Sequence, residues 1–135
     1  MRYIAIAVSA VLAIALCGCQ KESVDPEFLS NDNLCLMEKG KTVHSSEPLT
    51  WQTSFNRARK EFRVHTDNMS DYYILKCSAV PESEGQSIKG SLQWSGNTIV
   101  NRRNLDFRVE KMDSEGRVWL WCGKSKIAVS VVMSE

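Results

Sequence analysis

Histidine is nearly absent from this 135-residue chain: His44 and His65 are the only two. Pairing either with Ser45, Ser46, Asp67 or Asp71 would make a hydrolytic triad only by geometry. No local pattern marks a nucleophile elbow, so the expectation is two exposed histidines, no catalytic residue and no enzyme. No CxxC occurs and neither histidine is close to a cysteine, so neither a zinc site nor another cofactor is expected. Charge of one sign is not in excess, with 17 Lys and Arg against 16 Asp and Glu. A nucleic-acid surface needs a basic excess, so that partner is excluded. Beyond the first residues, no stretch repeats its apolar side chains at a helical period.

The one long apolar run lies at the start. Arg2 supplies a positive residue, and Tyr3 to Leu16 is apolar apart from Ser9. This is the layout of a secretory signal. The run is shorter than the roughly 20 apolar residues that span a bilayer. It ends in Leu16-Cys17-Gly18-Cys19, which resembles the lipobox of bacterial lipoproteins. The resemblance implies that Cys19 receives diacylglycerol, that the chain is cut before it, and that acyl chains such as palmitate follow. Stable anchoring takes more than one acyl chain, which such a lipid supplies. Gln20 stands where enteric lipoproteins retained at the inner membrane carry aspartate. The expected address is therefore the outer membrane, on its periplasmic or cell-surface face. Gln20-Lys21-Glu22 also resembles the start of the surface-export tag of some Bacteroidetes lipoproteins.

These features divide the chain into a signal peptide over 1–18, a lipidated tether over 19–33 and a β domain over 34–135. The mature chain loses Arg2, so its basic and acidic side chains are equal in number. Its length suffices for one domain with a core. With Cys17 removed and Cys19 lipidated, Cys35, Cys77 and Cys122 remain in an oxidising compartment. Three thiols allow one disulfide. Cys77 and Cys122 fall on the inward faces of strand-like runs, which makes their bridge the preferred pairing. Cys35 bridged to either, or three buried thiols, are the alternatives.

Alternation with period two recurs through the domain. Leu34–Met37 is a short first strand. Apolar positions alternate over Leu49–Phe55, Phe62–Val64, Ile88–Trp94, Leu105–Val109, Val118–Cys122 and Ile127–Met133, while Tyr72–Val80 is apolar on both faces. Asp113-Ser114-Glu115-Gly116 reads as a hairpin turn with Gly116 at positive φ. Seven or eight such strands imply an all-β fold, a small antiparallel immunoglobulin-like sandwich, with a lipocalin-like barrel as the alternative. Trp51, Phe55, Phe62, Val64, Leu75, Leu92, Trp94, Phe107, Leu120 and Val129 form the expected core. Phe62-Arg63-Val64 before Asp67-Asn68, with Val129-Ser130-Val131 closing the chain, resembles the BACON domains of Bacteroidetes. That resemblance likewise implies an immunoglobulin-like sandwich.

Trp119 and Trp121 alternate away from Val118, Leu120 and Cys122, with Arg117 beside them. If that face is open, Arg117, Trp119 and Trp121 form a contact surface for a glycan or an envelope protein. Arg102 and Arg103 would add polar contacts. If it is covered, the tether's Phe28 and Leu29 are the available cover. Arg57-Ala58-Arg59-Lys60 is the one dense basic run and reads as a solvated loop. The functional expectation is a membrane-anchored lipoprotein that binds without catalysing. A carrier of an apolar ligand, an inhibitor, or a structural subunit of an envelope assembly are the alternatives.

Overall fold

The computed structural model describes residues 24, 26–30, 34–39, 41–46, 52–65, 72–95 and 99–133. A short helix, α1 (Pro26–Ser30), is followed by nine strands. They are β1 (Leu34–Glu38), β2 (Lys41–Ser46), β3 (Gln52–Asn56), β4 (Glu61–His65), β5 (Tyr72–Cys77), β6 (Ser87–Ser95), β7 (Ile99–Met112), β8 (Arg117–Cys122) and β9 (Ile127–Val132). All nine belong to one antiparallel sheet in the order β2-β1-β9-β8-β7-β6-β5-β4-β3. The sheet curls, so that β3 and β4 come back against β9. The Tyr73 hydroxyl donates across the interior to the Ser130 carbonyl at 3.0 Å.

The all-β expectation holds, with nine strands in place of seven or eight. The added strand is β2, whose sequence KTVHSS carries one apolar residue and so lacks alternation. Its place at the sheet edge explains this, since an edge strand can leave both faces polar. The core expectation also holds. Phe62, Leu75 and Leu120 are fully shielded, with Phe55, Val64, Leu92, Trp94, Phe107 and Val129 buried around them. Trp51 lies outside the described residues. Burying each of these side chains stabilises the fold by about 1.5–3 kcal/mol.

The 14-residue β7 merges two segments that read as separate. A bulge divides it. Leu92 pairs with Arg102 but Gly90 with Leu105, so β7 carries one extra residue there. Asn104 takes a φ of 56°, a conformation that asparagine tolerates better than most residues. The bulge turns two consecutive side chains, Arg103 and Asn104, to solvent. Beyond it, Leu105, Phe107 and Val109 resume the inward face. A second shift, where Val109 pairs with Leu120 but Lys111 with Trp119, lets Met112 rejoin the interior side.

The turns follow local chemistry. Gly116 adopts a φ of 88° in the β7–β8 turn. The Asp113 carboxylate there accepts from the Glu115 and Arg117 amides at 3.0 and 2.8 Å. Arg57–Lys60 is the exposed β3–β4 turn, capped by Asn56 Oδ1, which accepts from the Arg59 amide at 2.9 Å.

Helix α1 falls inside the stretch expected to be tether. Pro26 suits a first helical position and Glu27 the positive end of the helix. Its hold on the domain comes from packing. Phe28 is 1% exposed and meets Met37, Trp119 and Ala128 on the outer face of the sheet, with Val24, Leu29 and Trp121 around them.

Candidate functional site

The outer face of β8 carries Arg117, Trp119 and Trp121, the contact surface expected if that face is open. It is covered. Trp119 is 2% exposed beneath Phe28 of α1, and Arg117 is 6% exposed. Lys111 Nζ lies 4.4 Å from the Trp119 ring centroid and donates to the Leu29 carbonyl at 3.3 Å. The Arg117 guanidinium stands 5.2 Å from the same centroid. The face therefore forms a second small core with cations stacked on its indole. The indole N–H groups of Trp119 and Trp121 are buried without an acceptor.

The cysteines correct a second expectation. Cys77 and Cys122 point inward as read, Cys122 in the core and Cys77 packed against it, but both thiols are free. Their strands are three places apart in the sheet. At about 4.8 Å per step that separation exceeds the roughly 7 Å over which two Cα atoms can be bridged, even allowing for curl. Burial pushes the Cys77 thiol up to about 12. It is therefore inert as a nucleophile at neutral pH. The side chain of Cys35 and the whole of Cys19 lie outside the described residues.

His44 falls in β2 and His65 ends β4, near opposite edges of the strand order. Ser45 and Ser46 follow His44 along β2, while Asp67 and Asp71 lie outside the described residues. Among the described residues, no group of three His, Cys, Asp or Glu could hold a metal ion. No described helix is long and apolar enough to cross a membrane.

Among the described residues, one hollow of about 790 Å³ opens at the β3–β4 turn among Arg57, Arg59, Glu61 and Arg63, and two further polar hollows open on the outside. The first of these two, about 730 Å³, lies along β5, β6 and β7 where the bulge bends the sheet. Lys76, Lys89, Arg103, Asn104 and Asp106 line it around Ile74. The second, about 680 Å³, lies where the β1–β2 and β8–β9 turns meet. Lys39, Lys124 and Lys126 line it, and the Lys39 amide donates to the Lys126 carbonyl at 2.7 Å. Arg102 borders both hollows, and its Nε lies 2.7 Å from Glu38 Oε1. Of the residues lining these two, only Arg102 and Arg103 stand out in the sequence. The lysines are spread along the chain and give no local signal.

No protein-family model, no curated protein and no solved structure matches this chain.

Proposed function

We infer that this chain is a lipid-anchored protein of the bacterial envelope that acts by binding at its outer surface. The observation that carries the binding half is the close packing of the interior among the described residues. Phe62, Tyr73, Leu75, Ile88, Phe107 and Leu120 occupy the inside of the curl, each 1% exposed or less, while the two polar hollows face outward. A carrier of an apolar ligand needs an interior cavity, so the packed core favours a surface-binding or accessory module. The anchoring half rests on Leu16 to Cys19. An immunoglobulin-like sandwich, with bulged β7 bending between two layers, and a lipocalin-like barrel, with the curl continued, both fit one curled sheet. The surface-binding reading is the same for either.

Metabolic labelling with a fatty acid tests the anchor. The label and membrane attachment are expected to disappear in Cys19→Ala; if both persist, the anchor is elsewhere. Solvent extraction of the purified protein tests the binding mode. Recovery of an equimolar apolar molecule would replace surface binding with carriage.

A further inference from the structure

We propose that the end of the sheet carrying the β1–β2 and β8–β9 turns, with Arg102 of β7 beside them, is a contact surface for an anionic bilayer. In the hollow between the two turns, Lys39, Arg102, Lys124 and Lys126 face a single carboxylate, Glu38, which is already paired with Arg102. The three lysines are exposed, as is Arg103 one residue along β7. The chain's formal net charge is +1, and a second basic group, Arg57, Arg59 and Arg63 around Glu61, lies at the opposite strand ends; the first group is set apart by the bonding of its turns to each other. The Lys39–Lys126 backbone bond fixes the two turns side by side, and the Arg102–Glu38 pair fastens β7 to them. Ile99 begins β7 three residues before Arg102, about 10 Å along the strand. At 72% it is the one large apolar side chain left exposed among the described residues. An isolated exposed apolar residue is ordinary. Ile99 pairs with Ser95 and Arg102 with Leu92, so the two side chains leave opposite faces of β7; the rigid group of cations by itself has the chemistry of a headgroup contact, with ammonium groups on phosphate oxygens.

A further argument rests on the lipid-anchored reading above. Val24 packs against the Trp119 cluster, so only five residue steps separate Cys19 from a docked position. Extended, they reach about 17 Å. A lipid on Cys19 would then hold the domain close to the bilayer, within a small multiple of the Debye length of about 8 Å at physiological salt. Docking α1 thus turns a long leash into a short one.

The test uses the chain from Gln20 onward, which keeps α1, all nine strands and both apolar clusters but carries no lipid. Its result is therefore independent of Cys19. Co-sedimentation is expected with vesicles of phosphatidylcholine mixed with phosphatidylglycerol and not with phosphatidylcholine alone. It should vanish near 1 M salt, where the Debye length is about 3 Å. Lys124→Glu with Lys126→Glu should weaken it more than about tenfold. Adding Glu82→Lys and Glu115→Lys restores the net charge at the other end of the strands. Six-residue β8 spans about 20 Å of that separation, and these changes should not restore binding. Lys39→Glu with Arg103→Glu repeats the test at other positions if the first pair disturbs folding. Equal sedimentation with both vesicle types, or none with either, overturns the proposal. So does rescue by the compensating charges, or binding of polygalacturonate without binding of vesicles.

Discussion

Phe28→Ala tests whether α1 is part of the domain. Truncating a buried phenylalanine costs about 3–5 kcal/mol when the surroundings cannot relax. Here they can, because α1 can lift away, and the loss is then limited to the free energy of docking. Ordering the segment opposes docking, while burial of Phe28 and Trp119, partial burial of Val24 and Leu29 and the Lys111–Leu29 hydrogen bond favour it. The net is set at roughly 2–3 kcal/mol, the worth of about one fully buried apolar side chain. Removing the Phe28 ring is enough to release the helix. The expected loss of about 2–3 kcal/mol lowers the melting temperature by on the order of 10 °C, while the sheet remains folded. Two readouts separate release from general weakening. Tryptophan emission should shift to the red, and the shift should disappear when Trp119 and Trp121 are both phenylalanine. Hydrogen exchange should rise at residues 24–30 and not in β4 or β5. An unchanged emission spectrum with a melting temperature within about 2 °C of the parent would refute the covered face.

Three further outcomes follow from single contacts. Unfolding returns the Cys77 thiol from about 12 to its ordinary 9.0. Above pH 9 the unfolded chain therefore loses a proton that the folded chain keeps. Stability from this group is complete below pH 9 and falls by about 1.4 kcal/mol per unit from there to pH 12; denaturant titrations of Cys77→Ala should lack that part of the slope. In Gly90→Ala the new Cβ would stand 2.6 Å from the Lys76 carbonyl oxygen and 3.5 Å from the Phe107 ring. A loss of about 2–3 kcal/mol is expected in thermal melting, since backbone must shift to admit it; a neutral result would mean that β5 and β6 are not paired in this register. Tyr73→Phe removes the hydroxyl bonded to the Ser130 carbonyl and should cost about 1 kcal/mol by chemical denaturation; no change would argue against the closure of β5 onto β9.

How much of this could be read from the chain depends on how locally each feature is encoded. Alternation gave the inward faces of β4, β8 and β9 correctly because each strand turns one side to the main core, and that side is written with period two; β5, apolar on both faces, offered no such signal. The β7–β8 turn was legible because Gly116 and Asp113 act on their own backbone. The β2 strand was not, since an edge strand has little need for an apolar face. Helix α1 has no visible period because five residues make little more than one turn, and a single side chain, Phe28, docks it. The two states of the β8 outer face were both readable from Arg117, Trp119 and Trp121. Only the position of α1, a tertiary fact, distinguishes them. The basic end is further from sequence still. The one conspicuous cationic run, Arg57 to Lys60, is the β3–β4 turn at the opposite strand ends. Lys39, Arg102, Lys124 and Lys126 come from three separate stretches, each flanked by ordinary polar residues. They meet because β1 lies beside β9 and the bulge at Asn104 lets β7 bend toward them. A surface assembled by sheet order leaves no spacing to detect. Its only trace in the sequence is that lysine and arginine occupy several turn-adjacent positions at one end of the strands, a pattern that exists only once the register is known.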